Sequence, residues 1–132
     1  MSSCHCIAVA VLVLGATGAG MAAPAGPDLV RGEQLYARCA ACHALAYDRV
    51  GPRHCGLLGR RAGTVPGFDY SAAMRQSGIV WNEKTLDHFL RKPLAMVPGS
   101  TMTYDGVADA GERNDLIAYI KAANSRAECK KP

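Results

Sequence analysis

The C-terminal part of the chain has the clearest pattern of apolar and polar positions. Its apolar residues recur at helical spacing and would form one buried face: Leu116, Ile117, Tyr119, Ile120 and Ala123. Asp109 and Glu112 stand three residues apart just before this pattern, as in a capping box. The pattern predicts a helix that begins after Asp109 and runs to about Ala127.

Three shorter helices are predicted upstream, from Leu29 to about Cys39, from Tyr70 to Gln76, and from Glu83 to Lys92. Asp28 and Asn82 can cap the first and the third, and Pro93 stops the third. From Ala44 to Gly67 the chain contains too many glycines and prolines for a regular element, which predicts a long loop. No alternating pattern of a strand is present. The sequence therefore predicts an all-α domain of about four short helices joined by long loops.

The first 25 residues differ in composition from the rest. An uninterrupted apolar run covers Ile7 to Leu14, and no acidic or basic residue occurs before Asp28. This pattern predicts a secretory signal peptide over residues 1–25, cleaved near Ala23 to Ala25, and an exported domain over residues 26–132. The alternative is a retained membrane anchor, but the apolar run is well short of the roughly 20 residues that span a bilayer.

Length and charge limit the class of function. A chain of 132 residues that is 49% hydrophobic and 20% charged fits one small domain. The formal net charge is +4, yet Lys and Arg are spread along the chain rather than clustered, which argues against nucleic-acid binding. An acidic protein partner fits this weak positive bias better.

The stretch CAACH joins Cys39, Cys42 and His43, and it has three chemical interpretations. A C-x-x-C pair can bind zinc, can act as a dithiol redox couple, or can take a haem through two thioether bonds while the adjacent histidine binds iron. Zinc would need further ligands, and there is no second C-x-x-C pair. A dithiol oxidoreductase would need a preceding strand, which the pattern does not contain. The spacing therefore favours covalently bound haem c.

The iron of such a haem has a second axial position, and its occupant decides between electron transfer and reaction with small molecules. The candidate ligands are His54, His88, Met74, Met96 and Met102. Most of these must serve packing or surface roles. Met102 differs because it lies in VPGSTMTYDG, where Pro98-Gly99 predicts a turn and a loop able to wrap around the edge of a cofactor.

Several stretches together carry a family resemblance: GEQLYARCAACH, VGP, GLLGRRAG, PGFDYSAAM, TLDHFLRKP, VPGSTM and RNDLIAYIKAA. In their order and spacing the chain resembles the class I cytochromes c, which are small, soluble, single-haem proteins, over residues 29–124. The resemblance implies the cytochrome c fold around one haem c. It implies thioether bonds from Cys39 and Cys42, iron ligation by His43 and Met102, a bond from His43 to the Pro52 carbonyl, propionate binding by Arg60, Tyr70 and Trp81, and a helix crossing at Gly32 and Tyr119.

Some residues depart from the family pattern. Phe89 stands where the family usually has a tyrosine that reaches the methionine sulfur, and Met74 stands where asparagine is common. We therefore expect a drier pocket. His54 replaces a leucine beside Pro52; it could compete for iron if the Met102 loop opened, but a structural role is favoured over that one.

Cys55 is a further departure. In an exported protein whose CAACH thiols hold haem, Cys55 and Cys129 are the remaining pair. The family fold brings the end of the last helix near Cys55. We therefore expect a Cys55–Cys129 disulfide.

The resemblance implies a diffusible periplasmic carrier that moves single electrons between a membrane complex or dehydrogenase and an oxidase, reductase or photosynthetic centre. We expect a monomer that is not an enzyme and is not stably inserted in a membrane. Basic residues that would steer acidic partners, or simply keep the protein soluble, are Arg38, Arg49, Arg53, Arg91 and Lys92. The alternative function is that of a haem enzyme or gas sensor with a labile Met102. The zinc and dithiol interpretations both predict a colourless protein.

Overall fold

The structure is a computed structural model that describes residues 26–130. Its elements in chain order are α1 (Leu29–Tyr36), α2 (Ala72–Gln76), α3 (Glu83–Arg91), α4 (Pro93–Met96), α5 (Ala110–Ala123) and a 3-10 turn (Ala127–Cys129). The only β contact within residues 26–130 is an isolated bridge between Arg61 and Val80. The predicted all-α fold class is therefore confirmed.

The predicted signal peptide, residues 1–25, lies outside the described residues. Among the residues that the structure describes, no helix combines the length and the apolar character needed to cross a membrane.

Helices α1 and α5 cross in close contact and form the most extensive helix pair of the fold. Gly32 stands at the crossing, where an added Cβ would lie 2.8 Å from the Cβ of Tyr119 and against the backbone carbonyl of Asp115. Only a residue without a side chain lets two helix backbones approach this closely. The predicted crossing of Gly32 with Tyr119 is thus confirmed.

A buried carboxylate ties the start of α1 to the middle of α5. Asp115 accepts a hydrogen bond from the backbone N–H of Asp28 at 2.8 Å and another from the Arg31 side chain. These donors, with the Asp28 N–H the strongest, hold the pKa of Asp115 below its ordinary value although burial opposes the shift. A carboxylate that is satisfied in this way favours its charged form. The contact therefore supports the helix crossing at neutral pH.

Capping side chains fix where the later helices begin. Asn82 and Thr85 form a complete capping box at α3, with both hydrogen bonds at 2.9 Å. At α5 the Asp109 carboxylate accepts from the Glu112 N–H at 2.8 Å. No return bond from the Glu112 carboxylate is found in this described part of the chain. The capping box predicted at α5 is therefore half formed, and the complete one lies at α3.

Helix boundaries differ from the predicted ones by a few residues, and α2 begins at Ala72 rather than Tyr70 while α3 ends at Arg91 rather than Lys92. Helix α1 ends at Tyr36 rather than near Cys39, because the N–H of Cys39 donates to the Tyr36 carbonyl at 2.8 Å in a tighter turn. Helix α5 ends at Ala123, and the residues up to Ala127 lead into a separate 3-10 turn. Pro93 follows α3, as predicted, but also begins a further helix, α4, since its fixed φ suits the first helical position.

The core lies between α1, α3 and α5. Its buried side chains from these helices are Leu35, Tyr36, Leu86, Phe89, Leu90, Leu116, Ile117 and Ile120. Residues 37–71 connect α1 to α2 without a helix, and residues 97–109 connect α4 to α5 in the same way. Because the helices are few and short, these two loops supply much of the wall around the centre of the molecule.

Candidate functional site

A cavity of about 370 Å³ opens between the two long loops and the core helices. Apolar side chains form much of its wall, including Leu57, Met74, Leu86, Phe89 and Leu90. The residues singled out from the sequence as cofactor contacts all line it: Cys39, Cys42, His43, Pro52, Arg60, Tyr70, Trp81 and Met102. A concave, mainly apolar site with a few polar groups is typical of cofactor binding.

The CAACH stretch forms one tight turn shortly after α1. The backbone N–H groups of Cys42 and His43 both donate to the carbonyl of Cys39, at 3.0 and 2.8 Å. This turn brings the two thiols and the imidazole to the same cavity wall. The arrangement is local, so it follows from five consecutive residues.

The His43 ring is oriented by one hydrogen bond and by close packing. Its Nδ1 lies 2.7 Å from the carbonyl oxygen of Pro52. Because a carbonyl only accepts, Nδ1 carries the proton and Nε2 keeps a lone pair for a metal. Gly51 packs against the ring, where an added Cβ would lie 2.6 Å from both ring nitrogens. Burial lowers the pKa of His43, opposed by the bond to Pro52, and the ring is therefore held neutral as metal binding requires.

Met102 reaches the cavity from the loop that joins α4 to α5. Its backbone N–H donates to the hydroxyl oxygen of Ser100 at 3.2 Å, which shapes the turn predicted around Pro98-Gly99. The loop therefore presents a thioether sulfur to the cavity that the CAACH turn also lines.

Arg113 anchors the far end of the Met102 loop, and the sequence analysis did not single it out. Its Nη1 donates to the carbonyls of Val107 and Ala108 at 2.9 and 2.7 Å, and its Nε donates to Asp87 of α3 at 2.7 Å. Arg113 is buried on the core face of α5. An arginine at helical spacing from the apolar residues of α5 is the sequence signal that could have revealed it.

The thiol of Cys39 lacks the properties of a redox-active or zinc-binding cysteine. Burial raises its pKa to about 11, whereas such cysteines act as thiolates with lowered pKa values. In residues 26–130 no group of three or more His, Cys, Asp or Glu side chains is placed to hold a metal ion by itself. These observations disfavour the zinc and dithiol interpretations of CAACH.

Arg60 is the cationic member of the predicted propionate contacts. Its Nη1 and Nη2 donate to the carbonyls of Cys55 and Arg53 at 2.9 and 2.8 Å. A guanidinium has five N–H donors, so it can bind a carboxylate as well. Burial lowers the pKa of Arg60 and raises that of Tyr70. With Trp81, these two side chains give the cavity a group of hydrogen-bond donors beside its apolar residues.

A sequence model of the family described as cytochrome c matches residues 29–124. The chain belongs to the cytochrome c family. It is 43% identical over 110 residues to cytochrome c2 of Blastochloris viridis, covering 81% of this chain and 87% of that protein. It is 44% identical over 101 residues to cytochrome c of Gibberella zeae, covering 74% and 95%. The structure is similar to that of cytochrome cH from Methylobacterium extorquens, with a TM-score of 0.70 and 36% identity over 72% of this chain and 98% of that one.

Proteins of the cytochrome c family bind one covalent c-type haem with its iron, and haem c is the cofactor of this chain. Family members are haem electron carriers that work with redox partners. The cavity fits this cofactor in chemistry and in space. Two thiols lie in one turn, a neutral imidazole and a thioether face the same apolar space, and Gly51 leaves room beside the imidazole.

Two departures from the cytochrome c pattern, Phe89 and Met74, are buried in the cavity wall. The Phe89 ring packs edge-on against Trp81, with ring centroids 5.0 Å apart. Neither side chain has a polar atom that could hold water by a strong hydrogen bond. A drier haem pocket stays a prediction, and the placement of both residues supports it.

His54, another departure, lies against His43. The two imidazole rings stack with centroids 4.3 Å apart and an interplanar angle of 24°. Loss of hydration lowers the pKa of His54 to about 3, and the nearby His43 and Arg60 act in the same direction. His54 is therefore uncharged at neutral pH. Its ring is engaged by His43 and by the Tyr36 hydroxyl, so the placement favours a structural role.

Cys55 and Cys129 lie side by side, with Cα atoms 5.0 Å apart although 74 positions separate them in the chain. Beside them the Gly56 N–H donates to the Asn124 side-chain oxygen at 2.5 Å. Cysteines with this Cα separation can be joined by a disulfide. The contact connects the loop that carries His43 with the C-terminal 3-10 turn of this cytochrome c.

Proposed function

We propose that this cytochrome c is a diffusible, monomeric carrier of single electrons in the periplasm, and that it is not an enzyme. The observation that carries the proposal is that the CAACH turn and Met102 line one apolar cavity. With a protein ligand on each side of the iron, no open position is left for a substrate, and such a centre transfers electrons and does little else.

In this proposal Cys39 and Cys42 hold the haem through thioether bonds, and His43 binds its iron through Nε2. Pro52 accepts the hydrogen bond from Nδ1 and so fixes the tautomer that exposes Nε2. The same bond makes the imidazole a stronger donor to the metal. Each of these roles uses an atom that lies at the cavity wall.

Met102 is the proposed second axial ligand. When bound, the haem supplies the one-electron couple of its iron, and the protein supplies ligands, dryness and a docking face. A thioether sulfur raises the reduction potential of the iron. The apolar side chains of Phe89 and Met74 line the same cavity and are expected to exclude water from it. With His43 and Met102 as its two protein ligands, the haem would supply a one-electron couple of raised potential.

Arg60, Tyr70 and Trp81 are proposed to bind a haem propionate. An unpaired carboxylate in this wall would cost several kcal/mol, so it requires hydrogen-bond donors. A guanidinium, a phenol hydroxyl and an indole N–H are donors of that kind. Removing one donor is expected to leave the haem attached and to change its potential.

Replacement of Met102 tests the proposal. The ferric protein is expected to show the weak red absorption band that arises from methionine sulfur bound to ferric iron, and Met102→Ala is expected to abolish it. Met96→Ala is the matched control, because Met96 is also a partly buried methionine packed on the core but belongs to α4, away from the cavity lining. A band that survives Met102→Ala would refute the proposed ligation.

The alternative, a haem enzyme or gas sensor with a labile Met102, predicts a different result in the same material. It requires rapid binding of cyanide to the ferric form or of carbon monoxide to the ferrous form at neutral pH. The carrier is expected to bind both slowly, and the Met102→Ala variant quickly. Fast binding by the unmodified protein would favour the enzyme or sensor.

The partner is proposed to be a redox protein with an acidic face. Three of the five basic residues expected to steer it are already in ion pairs: Arg38 with Glu112, Arg53 with Asp48 and Arg91 with Asp87. Paired surface charges contribute little to the long-range field. Electron transfer to anionic ferricyanide is therefore expected to slow only modestly as ionic strength rises. A rate that increases with salt would contradict the proposed sign of the docking face.

Export and disulfide formation complete the proposal. Residues 1–25 are proposed to act as a cleaved signal peptide, which N-terminal sequencing of the mature protein would test. The proposed Cys55–Cys129 disulfide requires the oxidising compartment that such export provides. Mass spectrometry with and without reductant tests it, and two alkylatable thiols in the native haem protein would refute it.

A further inference from the structure

The imidazole rings of His54 and His43 form a stacked pair, and the proposed function gives no role to His54 in this pair. The two imidazole rings are stacked, with a centroid distance of 4.3 Å and an interplanar angle of 24°. The two residues also share a backbone neighbourhood, since the Pro52 carbonyl that binds His43 lies two positions before His54. The same short loop segment therefore contacts His43 both by a hydrogen bond and by a ring.

His54 is held in its own position by contacts on two sides. Its backbone N–H donates to the Ala44 carbonyl at 3.0 Å, immediately after the CAACH turn. Its Nδ1 lies 3.0 Å from the hydroxyl of Tyr36, and the Tyr36 ring meets the His54 ring edge-on at 5.6 Å. Tyr36 is buried at the end of α1 and packs on Tyr119 of α5 at 5.3 Å. The stack is thus supported by the helix crossing.

The hydrogen bond to Pro52 does not by itself fix the plane of the His43 ring. A single hydrogen bond tolerates a range of angles, so the ring can still rotate to some extent about its side-chain torsions. A second aromatic ring, stacked at an interplanar angle of 24°, limits this rotation. The plane of an axial imidazole determines how its π orbitals meet those of the iron, and outer contacts of this kind tune a metal centre.

We propose that His54 is a positioning residue that fixes the plane of the His43 imidazole by stacking, with the Tyr36 hydroxyl holding His54 in place. The proposal rests on the proposed function, in which His43 binds the haem iron. It assigns to His54 an effect on the electronic structure of the ferric haem rather than on haem attachment.

The test compares electron paramagnetic resonance spectra of ferric holoprotein variants. His54→Leu removes the ring, and His54→Gln removes it while keeping a polar side chain. Both are expected to change the g values and to broaden the signals, because the ring of His43 then samples several planes. His54→Phe restores an aromatic ring without the bond to Tyr36 and is expected to return the g values close to those of the unmodified protein.

His88→Leu is the matched control, because His88 is an exposed histidine of α3 outside the cavity lining. It is expected to leave the spectrum unchanged. Tyr36→Phe keeps both imidazoles and is expected to broaden the signals less than His54→Leu. Unchanged g values in His54→Leu and His54→Gln, or equal changes in His54→Phe, would overturn the inference.

Failure of the proposed function gives a different result. If the unmodified protein lacks haem or lacks the methionine–iron band, then the proposed ligation is wrong. If haem and band are present in every His54 variant and the g values do not respond, only the role of His54 is wrong. Absorption spectra of the same samples separate the two cases.

Discussion

Gly32→Ala tests whether the close crossing of α1 and α5 stabilises the fold that positions the CAACH turn. Helix α1 leads into the CAACH turn, and its position depends on close contact with α5 at Gly32. An alanine methyl would be the smallest possible obstruction at that contact. A measurable loss of stability from one methyl group would show that the backbones approach as closely as described.

The size of the effect follows from the contacts. Ordinary Cβ contacts begin at 3.4 Å, and the new methyl would lie 2.8 Å from the Cβ of Tyr119, so α1 and α5 would have to separate by at least about 0.6 Å. The second obstruction is the backbone carbonyl of Asp115, which cannot rotate away. Overpacking of this kind costs up to about 3 kcal/mol, and the better helix propensity of alanine recovers about 1 kcal/mol. We expect a net loss of about 2 kcal/mol.

Guanidinium unfolding of the ferric holoprotein, followed by far-ultraviolet circular dichroism, measures this change. Gly26→Ala is the control, because an added Cβ at Gly26 meets no atom within 4 Å. Its free energy of unfolding is expected to change by less than about 0.5 kcal/mol. If Gly32→Ala were also within that limit, the argument that the crossing excludes a side chain would be refuted.

Three further predictions concern the loop and the helix contacts. Replacing Cys55 and Cys129 by serine would open the loop that the proposed disulfide closes, which has a sequence separation of 74. The chain-entropy model gives a loss of about 4 kcal/mol in denaturant unfolding, and no loss would contradict that estimate. Gly51→Ala is expected to push the His43 ring aside and add high-spin haem to the ferric absorption spectrum, and an unaltered spectrum would contradict the contact. Asp115→Asn is expected to destabilise the protein at pH 7, in urea unfolding, with a difference that shrinks below about pH 4. The sign follows because the folded pKa of Asp115 is lowered, so its contribution is present above the unfolded pKa and is lost in acid; a difference that grows in acid would contradict it.

The parts of the fold that could be predicted from the sequence are those decided by neighbouring residues. The caps at Asp28 and Asn82 and the apolar face of α5 depend on positions a few residues apart, and the structure confirms them. Helix ends were less predictable, because whether a last turn is α-helical or tighter depends on packing. Pro93 shows the limit, since a residue that ends one helix can also begin the next.

In the candidate site, too, the parts that could be predicted are those formed by neighbouring residues. The CAACH turn is contiguous, so its three side chains could be assigned together, and the loop character of Met102 was visible from Pro98-Gly99. The buried position of Arg113 could be inferred from its helical spacing in α5, but its partners could not, because they lie on α3 and on the loop before α5. The stack of His54 on His43 was equally hidden, since it requires the loop to fold back on itself.

The α1–α5 crossing has a consequence for the order of events in biosynthesis. Its two halves lie far apart in the sequence, so the contact cannot form until α5 has been made. Until then the cysteine pair that follows α1 is not yet held by the helix crossing. Covalent attachment of the haem can therefore precede closure of the crossing.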